Sequence, residues 1–277
     1  MLLGGAVVAA GSWWMGTRLT AAANRPVPAP ADLAVKSVRI AQADSAGLAA
    51  WWVPANPERG AVVLLHQTRV DRRSMLGRAR LLLREGLSVL LVDLQAHGES
   101  AGERITFGFR ESDNARAALA WLRSRRPHAR VGIIGTSLGG AAVLLGRQPI
   151  GADAVVVEAV YPDIRTSLEN RVRIRLGPLA PVLAPLLVVQ LRPRLGVESD
   201  DLRPITGIAG LGAPVLVVAG QLDRHTTLAE SEALFVAAAA PKELWVVAGA
   251  HHEDFLAKDP DGYRERVIGF LRRHLLL

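Results

Sequence analysis

Short apolar runs, many of them β-branched, recur along the chain at 35–41, 48–53, 61–66, 88–93, 130–135, 154–159, 213–220 and 243–249. From residue 61 onward the runs are continuously apolar, as in "AVVLLH" and "SVLLVD", which is the pattern of strands buried on both faces. The stretches between them have helical spacing. Met75, Leu76, Ala79, Leu82 and Leu83 fall on one face behind Ser74 as a candidate N-cap, and Gly86 ends the run. Ala115, Ala118, Leu119 and Leu122 mark a second helix over 112–125. Thr227 and Glu230 have capping-box spacing at the start of a third, and Pro260 opens the last, which presents Tyr263, Val267, Phe270 and Leu271. Alternating strand and helix predicts an α/β domain over 35–277, a mostly parallel sheet covered on both faces and preceded by an antiparallel pair. The rhythm breaks over 160–208, where Pro178, Pro181 and Pro185 interrupt any long helix. An insertion there, between two strands and at the sheet's C-terminal edge, predicts a lid over a crevice.

The first residues behave differently. "MLLGGAVVAAGSWWMGT" is an uncharged apolar run at the short limit for a membrane-crossing helix, and the Pro-rich "NRPVPAPADL" after it reads as a semi-extended linker. Residues 1–23 are expected to be a membrane anchor or signal segment and 24–34 a linker. Basic residues follow the apolar run (Arg18, Arg25) instead of preceding it, which favours a single uncleaved N-terminal anchor and a membrane-associated protein. A secretory signal ending near Ala21-Ala22-Ala23, or the remainder of a longer anchor, are the competing readings. The net charge of +7 suggests attraction to anionic surfaces, but only Lys36, Lys242 and Lys258 are lysines and the arginines are dispersed. Aromatic residues are 5% of the chain, too few to stack bases, so no nucleic-acid groove is expected. The absence of cysteine excludes disulfides, thiol catalysis and cysteine-ligated metal.

The chemistry is signalled by "GTSLGG" at 135–140, between the apolar run "VGIIG" and a segment able to form a helix. G-x-S-x-G in that context is a nucleophile elbow, a strained turn that lifts the Ser137 hydroxyl above the sheet, with Gly135 and Gly139 leaving room for it. A phosphate-binding loop would need a Lys-Ser/Thr ending or G-x-G-x-x-G, and neither is present. A serine hydroxyl needs a base, and the base an orienting acid, in the chain order Ser, Asp or Glu, His. "GQLDRHT" supplies Asp223 after one later apolar run, and "GAHHEDF" supplies His251 or His252 after the next. Glu158 and Asp163 are the alternative acids, whereas Asp93 lies on the wrong side of the serine in sequence. His66 reads as an orienting loop residue, His97 as part of a structural turn, His225 as too close to Asp223 to partner it, and His128 and His274 as surface positions. Adjacent His251 and His252 do not make a comfortable metal site, even with Glu253 and Asp254 following, and neither a metal nor a cofactor is expected.

"LLHQTRVDRRSM", "LLVDLQAHGES", "GTSLGGAA", "GQLDRHT" and "GAHHEDF" together resemble the α/β-hydrolase fold serine hydrolases, esterase- or lipase-like, from about residue 35 to the C-terminus. The resemblance implies a mostly parallel eight-stranded sheet with helices on both faces and a short lid. It implies hydrolysis of a carboxylic ester or thioester of a small acyl substrate through an acyl-enzyme. It also implies an oxyanion hole from the backbone N–H groups of Leu138 and Thr68. Where relatives usually carry His-Gly this chain has His66-Gln67, so Gln67 alters the loop or itself donates to the oxyanion. The usual Gly-Ala-Gly-His order sets His252 on the base and His251 on the glycine, at the mouth of the site beside the substrate. The apolar lid residues Leu176, Leu179, Val182, Leu183, Leu186 and Leu187 either meet an acyl chain or pack the lid down. Arg165, Arg171, Arg173 and Arg175 either meet an anionic head group or form a solvated basic face. The alternatives are an amidase or peptidase with the same triad, and a non-catalytic membrane-tethered binding protein.

Overall fold

The structure is a computed structural model describing residues 2–42, 45–146 and 148–276. Among the described residues eight strands form one sheet. They are β1 (Lys36–Gln42), β2 (Ser45–Val53), β3 (Gly60–Leu65), β4 (Leu87–Val92), β5 (Val131–Thr136), β6 (Ala154–Glu158), β7 (Val215–Gly220) and β8 (Lys242–Val247). The spatial order is β8-β7-β6-β5-β3-β4-β2-β1, antiparallel through β1, β2 and β4 and parallel from β4 to β8. This is the α/β-hydrolase fold. Strand side chains alternate between two apolar layers, as the two-residue pleat requires. Val63, Leu65, Leu90, Val92, Ile133, Val155 and Val157 face one layer, and Val62, Leu64, Val89, Leu91, Ile134 and Val156 the other. The first layer is covered by α3 (Glu111–Arg125) and α4 (Leu138–Leu144), the second by α2 (Leu76–Arg84) and, at the C-terminus, α12 (Gly269–Leu275).

Local signals account for the helix ends. Thr227 and Glu230 form a reciprocal capping box at the start of α9 (Leu228–Ala237). Gly86 follows α2 at φ 78°, and its N–H bonds the Leu83 carbonyl. The expected Ser74 cap is different. Asp71 caps a 3₁₀ turn over Arg72–Met75 that leads into α2, and the Ser74 hydroxyl donates back to the Asp71 carbonyl.

Four helices, α5 (Ile164–Leu176), α6 (Ala180–Val188), α7 (Leu191–Leu195) and α8 (Pro204–Ala209), occupy the insertion between β6 and β7. The break between α5 and α6 falls at Gly177, whose φ of 55° suits glycine, while Pro185 sits inside α6 on its exposed side. Of the apolar residues expected in a lid, Leu187 is buried and Leu183 half-buried, while Leu176, Leu179 and Val182 are exposed.

The N-terminal expectation is corrected. Residues Leu2–Thr20 form one helix, α1, but among the described residues no helix is long and apolar enough to cross a membrane. The membrane anchor, the membrane as partner and the membrane-associated localisation are therefore overturned. The reason is the face that α1 presents to the insertion. The Gln190 amide donates to the Ser12 hydroxyl at 2.8 Å, Arg194 donates to the Thr17 hydroxyl at 3.0 Å, and its guanidinium lies 3.8 Å from the Trp13 ring centroid. A Cβ at Gly16 would meet the ends of the Gln190 and Arg194 side chains, so α1 and the insertion approach closely there. The segment expected as a linker continues along the protein: Ala23 and Asn24 pair in parallel with His97 and Gly98, and Val27 is buried.

Beneath the strand ends lies a buried ion pair. Glu158, at the end of β6, accepts from Arg78 of α2 through Nη2 at 2.6 Å and Nε at 3.2 Å, from the Tyr263 hydroxyl at 2.6 Å and from the Thr136 hydroxyl at 3.0 Å. Arg78 Nη1 bonds Asp254 at 2.9 Å. Burial alone would depress the guanidinium pKa, but the charge of Glu158 overcomes it and holds Arg78 above its ordinary value. Removing one member of such a pair strands the other charge. Glu158→Gln is expected to cost about 3–5 kcal/mol in urea unfolding, with part recovered when Arg78→Met is added.

Candidate active site

Ser137 stands at the junction of β5 and α4 with φ 49° and ψ −106°, a conformation that L-residues rarely adopt. It is held by its surroundings. The Ser137 N–H bonds the Glu158 carbonyl at 2.8 Å, and the Gly139 N–H bonds the His66 carbonyl at 3.1 Å. A Cβ at Gly135 would come within 2.6 Å of the Gly139 carbonyl carbon, and one at Gly139 would collide with the Leu65 carbonyl. The glycines on either side of the serine thus allow the turn to close on itself and on β3.

Asp223 lies in the loop after β7 and His252 in the loop after β8. The structure brings them together, with His252 Nδ1 at 2.7 Å from Asp223 Oδ2. The other carboxylate oxygen accepts from the His225 N–H at 2.7 Å and the Thr226 N–H at 3.0 Å. Burial works to raise the Asp223 pKa; the hydrogen bond and charge of His252, with the two amides, outweigh it and hold the carboxyl below its ordinary range. His252 is partly exposed, so its ring is open to a ligand. His251 is exposed and turned aside, with Nδ1 at 3.1 Å from the Leu222 carbonyl.

Neither alternative acid faces a histidine. Glu158 is consumed by Arg78, Tyr263 and Thr136, and Asp163 caps α5 while pairing with Arg203 at 3.0 Å. Asp93 is buried against Arg72, which also pairs with Glu99. Among the described residues no group of three or more histidine and acidic side chains is arranged to hold a metal.

Gln67 and Thr68 are half-buried in the loop after β3, which the Gly139 bond to His66 presses against the elbow. The positive φ of that loop falls at Arg69 (64°), whose N–H donates to His97 Nε2 at 3.0 Å. Neither the Leu138 nor the Thr68 N–H has an acceptor among the described residues.

Some site residues were missed by sequence reasoning. The His225 ring lies 5.1 Å from the His252 ring, and burial, followed by the charge of His252, lowers its pKa. Arg78 left a signal: it takes a core position, between Met75 and Leu82, on the buried face of α2. A buried cation in an apolar stripe asks for a buried anion.

His66 and His97 use both ring nitrogens on the backbone. His66 Nε2 accepts from the Leu94 N–H at 3.1 Å while Nδ1 meets the Gln67 carbonyl at 2.7 Å. His97 Nε2 accepts from Arg69 while Nδ1 meets the Gln95 carbonyl at 2.9 Å. Burial, and then the charge of His97, push the His66 pKa down from 6.5 to about 3. The unfolded chain therefore binds this proton more readily than the folded one. The stabilisation is fully present above pH 6.5 and is lost as pH falls toward 3. Between pH 7 and about 4.5 the unfolding free energy in urea is expected to drop by about 3 kcal/mol from His66. His66→Gln, less stable at pH 7, is expected to fall less over the same interval.

Comparison with known proteins agrees with the architecture. The family model described as X-Pro dipeptidyl-peptidase (S15 family) matches residues 16–172, more than half of the chain, a span that holds Ser137 but neither Asp223 nor His252. An uncharacterized protein of Mycobacterium tuberculosis is 34% identical over 235 residues, 83% of this chain and 77% of that protein. The uncharacterized YqkD of Bacillus subtilis is 25% identical over 214 residues, 76% of this chain and 70% of YqkD. Among solved structures, an esterase of Pyrococcus furiosus has a TM-score of 0.74 at 22% identity, covering 91% of this chain and 98% of that one. A dienelactone hydrolase of Anabaena variabilis has a TM-score of 0.63 at 20% identity, covering 87% and 98%. At those identities the likeness is one of fold. With its strained serine turn and its Asp223–His252 pair on that fold, the chain belongs to the S15 family of α/β-hydrolases.

Proposed function

We propose that the protein is a serine amidase or peptidase that works through an acyl-enzyme. Ser137 is the nucleophile, His252 the base and later the acid, and Asp223 the carboxylate that orients the imidazole. The observation that carries the reading is the 2.7 Å contact of His252 Nδ1 with Asp223 Oδ2, in the loops after the last two strands, on the same sheet as the Ser137 elbow.

With Nδ1–H given to Asp223, the lone pair of His252 is on Nε2, and it takes the Ser137 proton as the hydroxyl oxygen attacks the carbonyl carbon. The N–H groups of Leu138 and Thr68 donate to the oxyanion, and neither has an acceptor to surrender among the described residues. An amine is a poor leaving group unless protonated, so the imidazolium returns its proton to the departing nitrogen. Water, activated by the same histidine, then releases the acid and restores Ser137. Gln67 and His251 contact the substrate at the rim.

The S15 match supports the amide reading, since peptide-bond cleavage is what that family's description names. Ester hydrolysis is the second reading, favoured by the esterase of similar fold. The two share every step except protonation of the leaving group, which an alkoxide needs less.

A fluorophosphonate probe is expected to label the wild-type protein and to leave Ser137→Ala unlabelled; equal labelling of both would remove the serine mechanism. On an acyl p-nitroanilide, His252→Ala and Asp223→Asn are expected to lose about 10³- to 10⁴-fold in kcat, and His251→Ala less than about tenfold. A larger loss in His251→Ala would move the base one residue back. Turnover of the matched p-nitrophenyl ester with none of the anilide would replace the amide reading by the ester one.

A further inference from the structure

Helix α5 of the insertion lies directly beside the Asp223 loop. The Asn170 amide donates to the His225 carbonyl at 3.3 Å and to Glu230 at 2.9 Å, which fixes the helix against the segment that holds Asp223 and leads into α9. The next residue, Arg171, is half-buried. Its Nη1 donates back along the helix to the Ser167 carbonyl at 3.0 Å and to the Ser167 hydroxyl, and Ser167 is itself buried. The opposite edge of the guanidinium, Nε and Nη2, has no acceptor, and Arg171 has no ion pair among the described residues. Arg165 and Arg173 on the same helix differ: both are exposed and paired, Arg165 with Asp200 and Arg173 with Glu169.

Burial depresses the Arg171 pKa, against the pull of Tyr161, Asp223 and Glu230. Arg171 follows directly on Asn170, which bonds the His225 carbonyl two residues beyond Asp223, so the guanidinium belongs to the turn of α5 that packs on the Asp223 loop. A half-buried guanidinium whose Nε–Nη2 edge has no acceptor among the described residues can take a ligand without giving up a bond, and the group that matches that planar edge is a carboxylate.

We propose that Arg171 is a specificity-determining residue that binds a carboxylate of the substrate, so that the enzyme selects acids over their neutral isosteres. This rests on the Ser137 site being the reaction centre. The carboxylate comes either from the acyl portion, as in a diacid monoamide, or from the leaving portion, as in the free C-terminus of a short peptide; both offer the same two oxygens to the same edge.

Calorimetric titration with glutarate and with glutaramide tests recognition without chemistry. The wild-type protein is expected to bind glutarate roughly 10- to 100-fold more tightly than the diamide. Arg171→Gln is expected to lose that difference, Arg171→Lys to keep part of it, and Arg173→Gln to keep all of it. Glutarate is also expected to slow fluorophosphonate labelling of Ser137. Two substrate pairs assign the source: glutaric acid mono-p-nitroanilide against its methyl ester for the acyl side, and a dipeptide against its C-terminal amide for the leaving side. The proposal is overturned if wild type binds glutarate and glutaramide alike, a result that stands even where Arg171→Gln fails to fold, or if Arg173→Gln abolishes the preference as fully as Arg171→Gln. Absent labelling with retained glutarate selectivity would instead remove the serine mechanism and leave the anion site standing.

Discussion

The geometry of the site depends on the buried pair of Arg78 and Glu158. The Glu158 side chain takes both Arg78 nitrogens, the Tyr263 hydroxyl and the Thr136 hydroxyl, and its backbone carbonyl takes the Ser137 N–H. The remaining nitrogen of Arg78 reaches Asp254, two residues beyond His252, whose carboxylate also caps the short helix α10 (Phe255–Lys258). One ion pair thus ties the residue before Ser137, the end of the neighbouring strand and the loop carrying His252. Desolvating two charges cancels most of what their attraction contributes, so the pair is poor as a source of stability. Its effect is positional: every oxygen and nitrogen involved has a fixed direction, and a strained serine persists only where the surroundings over-determine it.

The same logic separates the carboxylates at the strand ends by partner. Asp93 and Glu158 face arginines, which do not give up a proton under any working condition, and are thereby structural. Asp223 faces a histidine, whose ring can both donate and accept a proton. The histidines divide likewise. His66 and His97 spend both nitrogens on backbone groups that close the loops after β3 and β4, and burial keeps them neutral. His252 spends one nitrogen on a carboxylate, and its other ring nitrogen has no partner among the described residues.

Much of this was legible in the chain because the signals are local. The eight apolar runs are the eight strands to within two or three residues, since strand burial is written in consecutive side chains. The Gly-x-Ser-x-Gly turn is legible because steric demands fall on the glycines beside the serine. What escaped was set by contacts distant in sequence. The apolar character of α1 was evident, but not that Ser12, Trp13 and Thr17 would be met by Gln190 and Arg194. The four arginines around α5 looked alike in sequence; only packing of Asn170 and Ser167 against the core sets Arg171 apart from Arg165 and Arg173.

The departure from glycine at Gln67 has a structural answer that also gives α1 its place. The loop after β3 still needs one residue of positive φ, and it comes at Arg69, a position costly for a side chain. Arg69 is held there from three sides: its N–H by His97, its carbonyl by Arg25 at 2.6 Å, and its own guanidinium by the Arg18 carbonyl at the end of α1, at 2.8 Å. Two of those three restraints come from the N-terminal segment. The loop bearing Thr68 is therefore shaped by residues 18–25 as much as by β3, and a stretch whose composition suggested a membrane helix is, in the folded chain, a brace for the loop beside the Ser137 turn.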